Sequence, residues 1–247
     1  LALLVQRGEA LVNAGRGIEA GHTFLEIASR YMGASEHRVL ALDFRQRAVG
    51  QLLISGQLAD GNRALQALLG EIGIPYPNSK LQAAMGLIYR RARLALRQPI
   101  TLQRPEATAV TAVDPQLSAI EIAHAASVGL AIFDNLRSAY FQTRALERAL
   151  VSGDAYRIAR SLCMEACLIS VGGHRARARA GDVLERATQL AETLDHPHID
   201  AMVLLAAAVR EFMCGRWRET FANLEKTGLI LRNHCVAVSW ELTTMQR

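Results

Sequence analysis

Residues Gly8 to Ala28, GEALVNAGRGIEAGHTFLEIA, decide how the rest of the chain is read. Small residues at Gly8 and Ala20, apolar residues at Leu11 and Phe24, and a central Gly15 have the pattern of two short helices joined by a tight turn. Such a hairpin cannot be stable by itself. Each helix gives one apolar stripe to its partner and leaves a second stripe bare, so the hairpin needs neighbours to cover it.

The bulk composition agrees. The chain has 247 residues, of which 51% are apolar, 21% charged and 5% aromatic. That is enough apolar material for a packed core, and the wealth of Ala and Leu suits close-packed helices better than a sheet. The formal charge is +5, but its arginines are scattered through most segments, so the excess alone does not identify a nucleic-acid binder, and nucleic acid is not the expected partner. Cys163, Cys167, Cys214 and Cys235 include no CxxC pair and no zinc-finger spacing, and are read as reduced thiols of a cytoplasmic protein. No apolar run reaches the ~18 residues of a membrane helix, since the best candidate, Ala201 to Val209, is followed by Arg210 and Glu211. The ends, LALLVQRGEAL and WELTTMQR, read as those of a piece of a longer protein.

Helical periodicity continues along the chain. Helices are expected over Ala2–Ala14 and Ile18–Met32, then from Glu36 to Gly56 and from Ala59 to Ile72. Ile74-Pro75-Tyr76-Pro77-Asn78 breaks the pattern. A helix restarts near Ser79, with Leu81, Ala84, Met85, Ile88, Ala92 and Ala95 on an apolar stripe, and ends at Pro99. Residues 99–114 lack a sustained period and are read as a linker between N-terminal hairpins (1–98) and C-terminal hairpins (115–247) of one solenoid. Asp114-Pro115 is a helix start. Further helices are expected to about Ile132, over Leu136–Val151, Ala155–Val171 and Ala176–Leu194, and then as a last hairpin, Ile199–Cys214 and Trp217–Leu231. Gly15 and Gly56 stand 41 residues apart, and Gly173 and Gly215 stand 42 apart. The offsets resemble those of tetratricopeptide repeats, with a unit longer than the usual ~34 residues. The expected fold is all-α, a tetratricopeptide-like superhelix (solenoid) of antiparallel helical hairpins with extended repeats.

Three segments carry a broader resemblance: FQTRALERALVSGDAYRIARSLCMEA (Phe141 to Ala166), HPHIDAMVLLAAAVREFMCGRWRETFANLEKTGLILR (His196 to Arg232) and CVAVSWELTT (Cys235 to Thr244). They are similar to the C-terminal region of large bacterial signalling proteins in which a serine/threonine protein kinase domain and an AAA-type predicted ATPase precede a tetratricopeptide-like tail. The chain departs from such proteins in having no GxxxxGK[ST] phosphate loop, kinase Gly-rich loop, HRD loop or DFG. His37-Arg38-Val39-Leu40 lacks the carboxylate that a catalytic loop needs. The resemblance therefore implies a region outside both catalytic domains, and no catalytic residue carries over.

Other residue patterns are weighed against packing. His196-Pro197-His198, with Asp195 and Asp200, has metal-ligand residue types but reads as an inter-helix turn. Cys163 and Cys167 share a helix face and read as core thiols, and His124 reads as a partly buried packing residue. Trp217 is expected to pack on the preceding helix with its indole nitrogen on a backbone carbonyl. Two arginine groups stand out: Arg90, Arg93 and Arg97 on one helix, and Arg175, Arg177 and Arg179 at the start of another. Their planar donor forks suit carboxylate and phosphate groups, so these six are the candidate partner-binding residues. Cations in the first turn of a helix oppose its dipole, which singles out the second group.

The expected function is a non-catalytic protein-interaction and regulatory scaffold of a signalling kinase/ATPase, with no cofactor or metal. Its partner would be a protein or peptide, the catalytic domains of its own polypeptide included. The alternative is a ligand-sensing or oligomerisation arm of an ATP-dependent transcription activator. A kinase domain upstream would favour the first, and a helix-turn-helix domain downstream the second.

Overall fold

The computed structural model describes residues 1–31, 38–96, 115–131, 133–236 and 238–245. Among these the chain is all-α, with no strand: α1 Ala2–Asn13, α2 Gly17–Tyr31, α3 Arg38–Ile54, α4 Leu58–Glu71, α5 Lys80–Ala95, α6 Pro115–Leu130, α7 Asn135–Ser152, α8 Ala155–Ser170, α9 Arg177–Leu194, α10 Pro197–Met213, α11 Trp217–His234 and α12 Ser239–Met245. A 3-10 turn, Gly173–Ala176, precedes α9. The expected linker 99–114 lies outside the described residues. The short α12 has no counterpart in the sequence reading.

Three hairpins close in the same way. After α1, α3 and α10 the chain reaches Gly15, Gly56 and Gly215 with φ of 71°, 84° and 70°, a left-handed conformation that side chains with a Cβ disfavour. The next residue's N–H then reaches back to the last turn of the helix: Arg16 to the Leu11 carbonyl, Gln57 to Leu52 and Arg216 to Glu211, each at 2.9 Å. This motif satisfies carbonyls that the helix end would otherwise leave unpaired, and reverses the chain within three residues. Gly173, the fourth glycine of the sequence periodicity, also has positive φ but opens the 3-10 turn instead.

Contacts divide the chain into two compact units, one running to Arg148 and one from Ala149. In the first unit, α2 packs on α1 and α3, and α3 on α4 and α6. Leu11, Ala20, Phe24, Ile27, Phe44 and Ala48 form one cluster, with the Tyr31 ring parallel to that of Phe44 at 6.0 Å. A second cluster joins Leu53, Leu65, Leu68, Leu69 and Ile74 to Ile122, Ala126, Leu130 and Phe141. Small residues set how close the helices come. A Cβ on Gly21 would stand 2.7 Å from Leu52 Cγ, and one on Gly129 would stand 2.7 Å from Leu53 Cβ. The Pro75–Pro77 break is tied down rather than loose: Arg137 donates to the carbonyls of Pro77 (2.9 Å) and Asn78 (3.2 Å) and lies over the Tyr76 ring.

In the second unit, α8 pairs with α9 and α10 with α11, and α10 touches both helices of the preceding pair. Asp154 caps α8 by accepting from the Arg157 N–H at 2.8 Å. Ala159, Cys163, Ala166, Ala180, Ala187 and Ala206 are buried among larger residues such as Ile158, Leu184, Ile199 and Leu205, so small and large side chains both fill the contacts between these helices. Helix α12 covers Ala201 and Leu231.

The apolar stripe expected on α5 exists but faces outward. Leu81, Met85, Ile88 and Tyr89 are 64–70% exposed, and the helix buries the opposite side through Ala83. Trp217 meets the expectation in part, since it packs on the preceding helix. It meets Phe212 of α10 edge-on at 5.3 Å but is 56% exposed, and its indole N–H has no partner among the described residues.

Leu53, fully buried against Gly129 and Gly61, tests the close packing. Leu53→Ala is expected to lower unfolding free energy by about 2–5 kcal/mol in urea titration. Met85→Ala on the exposed face should change it by less than about 0.5 kcal/mol.

Candidate functional site

The hairpin α10–α11 departs from its counterparts at one buried position. Alignment on the turn glycines places Glu211 where the other two hairpins have Leu11 and Leu52, the residues whose carbonyls accept the capping N–H. Those leucines are core residues, and Glu211 is as deeply placed, 3% exposed. A carboxylate there is costly unless its charge is compensated.

Three arginines compensate it. Arg210 donates through Nε to Glu211 Oε1 at 2.9 Å, with Nη2 at 2.7 Å from the same oxygen. Arg177, the first residue of α9, reaches both carboxylate oxygens through Nη2 at 3.2 and 3.3 Å. Arg216, at the start of α11, stands 3.3 Å from Oε2 and also holds Glu219. Gly181 makes room for this arrangement, because a Cβ there would lie 3.2 Å from Arg210 Nη1. Burial pulls the Glu211 pKa upward, but hydrogen bonds and charge from Arg210 and Arg177 outweigh it, and the carboxyl is held below the usual glutamate value.

Around this centre lies an open cavity of about 340 Å³, bounded by Arg177, Arg210, Glu211, Arg216, Glu219 and Asn223, with Ala222 also on its wall. The Arg216–Glu219 pair repeats the Arg16–Glu19 pair at the equivalent turn, and is therefore part of the hairpin design. Arg177 and Arg210 then face a single carboxylate.

The six arginines expected to bind a partner are distributed unevenly. Arg90 and Arg93 both address the buried Glu147 on α7, Arg93 at 3.5 Å, so part of their charge is spent within the first unit. Arg97 lies outside the described residues. Arg177 lines the cavity, whereas Arg175 and Arg179 are exposed and make no ion pair among the described residues. Sequence reasoning missed Arg210, Glu211 and Arg216. The available signal was the glutamate at a leucine position, visible once the hairpins are aligned on Gly15, Gly56 and Gly215.

The histidine motif has a different use. Pro197 is the first residue of α10 and His196 its cap position. The Tyr156 hydroxyl stands 2.9 Å from His198 Nδ1, and His198 Nε2 stands 3.1 Å from Glu241 Oε1, linking α8, α10 and α12. The His196 ring lies against Tyr156 with centroids 4.9 Å apart. Among the described residues no three His, Cys, Asp or Glu side chains converge as metal ligands. Burial pushes the Cys163 thiol well up and the Cys167 thiol up to about 12, which makes both poor nucleophiles. No described helix is long and apolar enough to cross a membrane.

No family model, curated protein or solved structure matches the chain.

Glu211→Gln removes the charge that balances three arginines. The expected loss is about 2 kcal/mol, below the ~3–5 kcal/mol of a wholly buried pair because the arginine side chains stay partly exposed. The pH dependence has a definite sign. Because the folded pKa of Glu211 is depressed, its contribution is complete above the unfolded value, about 4.3. It is lost as the pH falls through the folded value. Urea midpoints of the wild type and Glu211→Gln should therefore be well separated at pH 7 and begin to converge below about pH 4.3.

Proposed function

We propose that the chain is a non-catalytic interaction and regulatory scaffold, built within each unit as a tetratricopeptide-like stack of helical hairpins. The observation that carries this reading is the recurrence of one hairpin turn at Gly15, Gly56 and Gly215, together with the contact of α10 with both helices of the hairpin before it. Units that touch mainly their neighbours leave long surfaces free for a partner. The partner is a protein or peptide with an acidic binding segment, received at the start of α9, where Arg175 and Arg179 are exposed and unpaired among the described residues.

The resemblance of residues 141–166, 196–232 and 235–244 to kinase/ATPase tails supports a cytoplasmic signalling setting. There the scaffold would hold either a separate protein or the catalytic domains of its own polypeptide, and changes in hairpin stacking would alter those domains.

The test is affinity capture with the immobilised chain from a lysate of its source cells, alongside Arg175→Glu/Arg179→Glu. Neither arginine supports the fold through an ion pair among the described residues, so far-UV circular dichroism should be unchanged. Specific partners should be recovered with the wild type and lost with the double variant. Equal recovery with both would refute the reading.

A further inference from the structure

We propose that the cavity bounded by Arg177, Arg210 and Arg216 binds the phosphoryl group of a phosphorylated protein segment. The assignment rests on the scaffold reading and names the chemical group that the scaffold holds.

Charge comes first. Arg177, Arg210 and Arg216 line the cavity, and Arg216 also donates to Glu219 on its wall. On the cavity wall three guanidiniums meet two carboxylates, Glu211 and Glu219, leaving one positive charge uncompensated. A phosphoryl monoester, with a charge of about −1.5 to −2 and three strong acceptor oxygens at neutral pH, engages more of these guanidinium donors than a carboxylate with one charge and two oxygens.

Donors are also in surplus. Only Nη2 of Arg177 donates among the described residues, and its Nε is buried without a partner. A guanidinium offers five N–H donors in a rigid fork suited to tetrahedral oxyanions. Glu211 does not compete for the ligand's place, because both of its oxygens already face arginines. It acts as a positioning residue that draws Arg177 of α9, Arg210 of α10 and Arg216 beside α11 to one point.

Local helix electrostatics point the same way. Helix α9 begins with Arg177, has no side-chain cap and has no acidic residue in its first turn. Arg216 occupies the cap position of α11. A cation at the positive end of a helix is unfavourable unless an anion lies nearby; Glu219 in the first turn of α11 answers Arg216, whereas Arg177 shares Glu211 with Arg210 and Arg216. The cavity, at about 340 Å³, falls within the roughly 300–1,000 Å³ of ligand pockets.

The test uses the full chain and fluorescein-labelled Gly/Ser decapeptides with one central phosphoserine, serine or glutamate, followed by fluorescence anisotropy. The phosphoserine peptide should bind saturably, at least tenfold tighter than either of the others, and inorganic phosphate should compete. Arg177→Gln should weaken it at least tenfold. Should that variant unfold, Ala222→Glu decides, because it puts a carboxylate at the cavity wall without removing an ion pair, and it too should weaken binding at least tenfold. Arg63→Gln, on α4 in the other unit, should have no effect. No saturable binding, equal affinity for the glutamate peptide, or an equal loss in Arg63→Gln would each overturn the proposal. The two readings can fail separately. Phosphopeptide binding with partner capture insensitive to Arg175 and Arg179 sinks the scaffold reading alone, and the reverse result sinks the phosphoryl assignment alone.

Discussion

A helix that must turn back on itself within three residues has to satisfy its last carbonyls while it changes direction, and glycine in the left-handed region permits both. At Gly15, Gly56 and Gly215 the following N–H returns to the carbonyl four positions before the glycine, and the second helix begins almost at once. The hairpins α1–α2, α3–α4 and α10–α11 all depend on that constraint. It fixes where each pair starts and brings apolar stripes face to face. Close approach then depends on small residues, as where Gly21 meets Leu52 and Gly129 meets Leu53.

Against that repeated background, Glu211 stands out. Where Leu11 and Leu52 add to the core by apolar burial, Glu211 brings a charge into an equally buried place and needs arginines from three elements to hold it. Replacement by leucine of similar volume would often be neutral or stabilising in such a position. The carboxylate is thus poorly explained as a stability device and better explained by what it organises, a set of guanidiniums gathered at a cavity wall. Glu147 offers an instructive contrast. It too is buried and faces two arginines, Arg90 and Arg93, but these come from a single helix, and the pairs join α5 to α7.

Helix α5 shows where periodicity gives the right element and the wrong environment. Leu81, Met85, Ile88 and Tyr89 follow a helical stripe, and such a stripe normally marks the buried side. Here the buried side is set by Ala83 and by Gly86, whose missing side chain leaves room for Tyr140. The tertiary partner of the helix, not its own hydrophobicity, selected the face.

From sequence alone, the all-α class, the positions of eleven of the twelve described helices and the turn glycines were legible, because periodicity, proline breaks and left-handed glycines are local properties of the chain. The short α12 was not, since seven residues give too little periodicity to reveal a helix. Nor was the arginine-lined cavity. Arg177, Arg210, Glu211 and Arg216 come from two helices and the α10–α11 turn, in two separate stretches of sequence, and nothing local distinguishes Arg177 from Arg179 two residues on. Helical rotation decides between them: two residues is about 200°, so one arginine reaches the cavity and Glu211 while the other stays in solvent. Only tertiary packing, which brings the start of α9 against the α10–α11 turn, could make that choice.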